Sequence, residues 1–167
     1  MREAAFSLIA AWFGTAGEPG ERMLAGYSFA DFFAGSGAIA LEAASRGAAP
    51  VLAVESDRRT AEIVKGNQRA LRLELGVRAA KAESVVAGTP AQPFDVLWFD
   101  PPYALASTEL DVLVAVAVAN AWLAAGGLVV LERSSRSEPP SWPPSLNAMP
   151  PRRYGETTLH LATLEAS

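Results

Sequence analysis

Asp31-Phe32-Phe33-Ala34-Gly35-Ser36-Gly37 is the stretch that decides how this chain folds. It joins Tyr27–Phe33, which reads as a strand, to Ser36–Arg46, which reads as a helix stopped by Gly47. Glycines at a strand-to-helix turn let the backbone come close to a ligand and leave the first helical N–H groups free to bind it. Val51–Glu55 follows as a short apolar run of strand length. Asp57 can then cap a helix running to about Leu73, with Gly76 ending the connection. A strand, a turn, a helix and a second strand in this order seed a parallel sheet.

The same alternation extends outward in both directions. Arg2–Trp12 reads as a helix, and a polar, glycine-rich turn from Gly14 to Gly20 follows it. Downstream, Val77–Ala80 is a weak strand, while Phe94–Phe99 is apolar nearly throughout, as a strand buried on both faces should be. Glu109–Ala124 reads as a helix closed by Gly126-Gly127, and Leu128–Glu132 as another buried strand. Half of the 12 prolines then fall between Pro139 and Pro151, which forbids a continuous helix and argues for a surface loop. Arg152–Tyr154 and Thr157–Leu164 flank Gly155-Glu156 as a β-hairpin. The expected fold is α/β: one domain spanning residues 1–167, with an open, mostly parallel sheet finished by an antiparallel hairpin.

Composition narrows the class further. With 167 residues, 50% hydrophobic and 19% charged, one sizeable core is expected and disorder is not. The absence of cysteine removes disulfides, thiolate nucleophiles and the common structural zinc sites, and it fits a cytoplasmic location. No apolar run is long enough to span a bilayer. The formal net charge of −4 runs against the basic surface that nucleic-acid enzymes usually carry.

Gly35 to Ala40 spells G-x-G-x-x-A, which matches a dinucleotide fingerprint, and Glu55 at the end of the next strand could accept hydrogen bonds from ribose hydroxyls. Asp31 separates the readings. A carboxylate ahead of the glycine turn would repel a pyrophosphate, but it would favour a cofactor carrying an ammonium and a sulfonium, as S-adenosylmethionine does. The plain alternative is a tight turn whose glycines serve packing only, with Glu55 a solvated strand-end acid.

Asp100-Pro101-Pro102-Tyr103 directly follows the strongest strand. Ligands in open α/β sheets sit outside the carboxyl ends of strands near the switch point. If Tyr27–Phe33 is the first strand and Phe94–Phe99 the fourth, Asp100 is expected to face the glycine corner. The exocyclic amino group of a nucleobase is a poor nucleophile, because its lone pair is delocalised into the ring. Asp100 and the Pro101 carbonyl can each accept a hydrogen bond from that amine and favour a pyramidal nitrogen. Both prolines stiffen the corner and bring no N–H of their own, and Tyr103 offers an aromatic face to an extruded base. A proline-rich turn after a buried strand is the bland alternative.

Taken together, Asp31–Gly37, Glu55, the tetrapeptide at Asp100 and Arg152-Arg153-Tyr154-Gly155-Glu156-Thr157 resemble the RsmD family, from Arg2-Glu3-Ala4 to the final strand. These are bacterial 16S rRNA (guanine-N2)-methyltransferases that act on guanine 966 in the usual rRNA numbering. The resemblance implies a Rossmann-like class I methyltransferase with seven strands in the order 3-2-1-4-5-7-6, the seventh antiparallel. It implies S-adenosylmethionine as cofactor, held by Asp31, Ala34, Gly35, Ser36, Gly37, Glu55, Ser56, Ala82 and Asp100, with Lys81-Ala82 beside the adenine. It assigns catalysis to Asp100, Pro101, Pro102 and Tyr103, and the implied partner is 16S rRNA within the small ribosomal subunit or its assembly intermediate, met by a monomer. Arg152, Arg153 and Tyr154 could contact that RNA, or simply form a solvated hairpin end.

Two departures stand out. Lys81 replaces the polar neutral or acidic residue usual in the family and cannot accept the adenine amino protons. The chain also begins at the Arg-Glu-Ala helix, without the basic hairpin that usually precedes it, so tight cofactor binding and weak RNA binding are expected. Among smaller features, His160 reads as an ordinary strand residue, Glu132 as a candidate pocket residue, and Trp98 and Trp122 as core. No residue cluster suggests a metal. The competing functions are DNA adenine-N6 methylation, a catalytically silent cofactor-binding module, and a nicotinamide oxidoreductase that lacks any visible hydride-transfer partner.

Overall fold

The computed structural model describes residues 1–166, and the chain divides into two compact units, Met1–Ala80 and Lys81–Ser167. The first contains α1 (Arg2–Phe13), β1 (Phe29–Asp31), α2 (Ala38–Ser45), β2 (Val51–Glu55), α3 (Arg58–Leu71) and β3 (Gly76–Ala79). β2 lies between β1 and β3 and runs parallel to both, with Phe29 opposite Val51 and Glu55 opposite Ala79. α1 buries Ala5, Phe6, Ile9 and Ala10, one stripe at helical spacing, and ends where Gly14 turns left-handed. Phe6 stacks on Phe29 with ring centroids 5.8 Å apart, which ties the helix to the first strand. Asp57 caps α3 as its sequence position suggests, accepting the Arg59 N–H at 3.1 Å. β1 is shorter than Tyr27–Phe33 because the Asp31 carboxylate accepts the Phe33 N–H at 3.2 Å and turns the chain early.

The second unit contains α4 (Ala82–Ala87), β4 (Phe94–Phe99), α5 (Ser107–Ala119), β5 (Leu123–Ser134), β6 (Leu146–Ala148), β7 (Arg152–Tyr154) and β8 (Thr157–Leu164). β4 and β5 are parallel, with Phe99 opposite Leu131. β8 runs antiparallel to β5 on one side and takes β6 and β7 on the other. The last strand therefore inserts beside β5, as the resemblance implied. The centre of this unit is Leu97, Trp98, Phe99, Leu128, Leu131 and Leu159, all fully buried. Side chains of this size contribute about 1.5–3 kcal/mol each when buried. Trp122 is also core, and its indole N–H donates to the Gly88 carbonyl at 2.9 Å.

Three readings of the sequence need correction. The helix expected over Glu109–Ala124 starts at Ser107 and stops at Ala119. There Asn120 leaves the helix to donate from Nδ2 to the Val86 carbonyl at 2.7 Å, and Ala121 takes a left-handed φ of 64°. Leu123 and Ala124 then open β5, and Gly126-Gly127 fall in an irregularity of that strand instead of closing a helix. The segment after Lys81, for which the sequence suggests no element, forms the short α4, whose Ala82, Val85 and Val86 are buried. Lastly, the proline-rich loop contains β6, so the described residues hold eight strands where seven were expected. Pro150 and Pro151 interrupt the β6–β7 edge of β8, and Met149 bridges it by donating its N–H to the Leu161 carbonyl at 2.9 Å. An edge is the place where a sheet tolerates proline. Among the described residues, no helix is long and apolar enough to cross a membrane.

Candidate active site

In the first unit the glycine turn is organised by Glu55. Its Oε1 accepts the Gly35 N–H at 2.9 Å and its Oε2 the Asp57 N–H at 2.7 Å. The Ala34 N–H donates to the Val54 carbonyl and the Gly37 N–H to the Ala34 carbonyl, both at 2.9 Å, which closes a tight turn above β2. Gly35 and Gly37 both take positive φ, at 56° and 92°. Their surroundings differ. A Cβ on Gly37 would lie 2.9 Å from Val64 Cγ1, whereas one on Gly35 would meet nothing within 4 Å. Gly37 is thus needed for packing, and Gly35 presents bare backbone to open space. Asp31 is buried beneath the turn, Ala34 is nearly so, and Ser36 and Ser56 are exposed.

In the second unit the strand ends build a cavity of about 640 Å³. Asp100, Pro101, Pro102 and Tyr103 form one wall, and Glu132 with Arg133 forms another. The hairpin turn contributes Glu156 and Thr157. Because Phe99 pairs with Leu131, Asp100 and Glu132 are the next residues along two neighbouring parallel strands. Asp100 lines the cavity while remaining accessible as a residue, and partial burial of its carboxyl raises the pKa against the lowering pull of Arg133. Burial, reinforced by the Asp100 charge, raises Glu132 to about 7. Arg133 also braces the loop beyond the tetrapeptide. Its Nη2 donates to the Leu105 carbonyl at 3.3 Å and to Ser107 Oγ at 3.4 Å.

All four residues of the Asp-Pro-Pro-Tyr corner thus meet in one cavity, and Tyr103 stands 94% exposed at its rim. Arg152 and Arg153 are exposed on β7, where Arg153 Nε donates to the Gly155 carbonyl at 2.9 Å; Tyr154 is half-buried. The hairpin reaches the cavity through Glu156 and Thr157, not through those three residues. Ala82 is buried at the start of α4, and the exposed Lys81 lines a separate opening with Leu105, Thr108 and Val112. Sequence reading missed Arg133 and Arg136. Their only signal was position, just past the carboxyl end of a buried strand. His160, opposite Leu131, is an ordinary strand residue, whose pKa is lowered by burial and by Arg133. Among the described residues no group of three His, Asp or Glu side chains could hold a metal ion.

The model of the family described as conserved hypothetical protein 95 matches residues 1–163. The chain belongs to this family. The match agrees with the RsmD-type motifs, and no curated protein matches the sequence. Among solved structures, hypothetical protein TTHA0928 of Thermus thermophilus is 31% identical, with a TM-score of 0.75 over 98% of this chain and 84% of that one. A candidate methyltransferase of Escherichia coli, yhhF, is 26% identical, with a TM-score of 0.84 over 99% of this chain and 86% of that one. RsmC of Thermus thermophilus, a 16S rRNA N2 G1207 methyltransferase solved with AdoMet and guanosine, shares the fold. Its TM-score is 0.68, at 20% identity over 95% of this chain and 42% of that one. The fold is that of class I methyltransferases, and these neighbours support a family of methyl-transferring enzymes.

Proposed function

We propose that this chain is an S-adenosylmethionine-dependent methyltransferase that modifies the exocyclic N2 amino group of a guanine in 16S rRNA. The observation that carries this reading is the meeting of Asp100 with both prolines and Tyr103 in one cavity at the strand ends. The Arg-Tyr-Gly-Glu-Thr hairpin and the fold shared with RsmC favour guanine in rRNA over adenine in DNA.

The glycine turn fits the cofactor. Backbone at Gly35 is open, Glu55 keeps lone pairs for hydroxyls beyond the two N–H groups it accepts, and the buried Asp31 suits a cationic ligand. When bound, S-adenosylmethionine supplies a sulfonium methyl group. Asp100 and the Pro101 carbonyl accept hydrogen bonds from the guanine amine and orient its lone pair. Tyr103 stacks on the extruded base. As positive charge develops on nitrogen, Asp100 accepts the departing proton, a role its raised pKa suits. Orientation and electrostatics supply most of the rate.

Labelled methyl transfer to small ribosomal subunits, naked 16S rRNA and duplex DNA tests the proposal. Label recovered as N2-methylguanine is the expected result. Label in N6-methyladenine, or no transfer to any ribosomal substrate, overturns it.

A further inference from the structure

We infer that Glu132 is the residue that selects guanine, accepting the base's N1–H while Asp100 holds the neighbouring amino group. This rests on the guanine-methylating reading above and adds a second recognition residue to it. In guanine the amino group at C2 is flanked by N1–H on one side and the bare N3 on the other, so an edge that enters the cavity through its N1 side presents donors side by side. Adenine and cytosine flank their amino groups with a bare ring nitrogen, which is an acceptor. A wall of two adjacent carboxylates therefore matches guanine and repels the lone pair of the other two bases.

The protein builds that wall through strand register. Phe99 lies opposite Leu131, so the next two residues, Asp100 and Glu132, emerge side by side at the carboxyl ends of β4 and β5. Neighbouring strands are about 4.8 Å apart, so the two side chains can converge on one edge of a base. Both acids line the same cavity, and each is raised by the burial that the arrangement imposes. Arg133 donates to the Leu105 carbonyl and Ser107 while its charge acts on Asp100, and Arg136 lines the same cavity. Two acids placed side by side on one cavity suit a ligand that presents two adjacent donors.

The test compares guanine with 2-aminopurine, which keeps the 2-amino group but has an unprotonated N1. Once the methylated guanine is located in 16S rRNA, a fragment carrying either base at that position is assayed at about pH 8.5, where Glu132 is ionised. Wild type is expected to prefer guanine by about 100-fold in kcat/KM. In Glu132→Gln the side-chain amide can donate to the bare N1, so the preference should narrow to within about tenfold. A role for Glu132 as a charge that merely tunes Asp100 would change both substrates equally and leave the ratio intact. That outcome, in a variant that is folded and whose cofactor binding matches wild type, overturns the inference. Equal use of both bases by wild type overturns it without any variant. Absence of transfer to guanine altogether overturns the functional reading, and this inference with it.

Discussion

The glycine corner above β2 and the acidic corner at the ends of β4 and β5 use carboxylates in opposite ways. Glu55 is committed to backbone donors, accepting from Gly35 and Asp57 and holding both in place. Asp100 and Glu132 instead face a cavity beside one another, and burial raises both. The first corner is built to persist without a ligand. The second carries an electrostatic cost that a ligand's donors would relieve. The two corners thus differ in kind, one resting on satisfied backbone and the other on acids side by side at a cavity.

The sharpest way to break this contrast is Asp100→Ala. Methyl transfer should fall about 1000-fold or more, while calorimetric affinity for S-adenosylmethionine is largely retained. Parallel loss of both would mean that Asp100 is part of the binding corner after all. Next in size is the glycine turn. Gly37→Ala meets both a φ of 92° and a Val64 methyl at 2.9 Å, and should lose about 2–3 kcal/mol, a drop of about 5–10 °C in Tm. Gly35→Ala, with only its φ of 56° to oppose it, should lose about 1 kcal/mol and reveal itself chiefly as weaker cofactor binding.

Glu55→Gln replaces one of two accepting oxygens by a donor that faces a backbone N–H. It should lower stability by about 1–2 kcal/mol by denaturant titration and loosen cofactor binding together with it. A Tm that is unchanged would show that the turn holds itself. The smallest effect has the opposite sign. Glu132 is raised from 4.5 to about 7, so the folded state holds this proton more tightly than the unfolded chain does. Its contribution to stability is fully present below about pH 4.5 and is lost as pH rises through about 7. Glu132→Gln should therefore melt slightly higher than wild type at about pH 8 and close to it at about pH 4, the modest size reflecting a carboxyl that is only half-buried. Equal melting shifts at both pH values would remove the electrostatic cost from the comparison.

Much of this was legible in the chain itself. Apolar runs at Val51–Glu55 and Phe94–Phe99 matched β2 and β4 residue for residue, because strands buried on both faces leave a continuous signal. Legibility failed where local preference was overridden. Ala119 to Ala124 looks helical by composition, but Asn120 and Ala121 break it so that β5 can start early beside Phe94. β6 was hidden among prolines, since only its pairing with β8 makes it a strand.

The same division holds for the site. Sequence alone determined that a glycine turn follows one strand and an Asp-Pro-Pro-Tyr corner another, because turn glycines, prolines and apolar periodicity act over a few residues. Only the tertiary structure decided that Glu132 lies beside Asp100, that Arg133 braces the loop before α5, and that Glu55 reaches back to Gly35. These meetings join residues at least 20 positions apart. Strand register sets them, and register is a property of the paired sheet and not of either strand by itself.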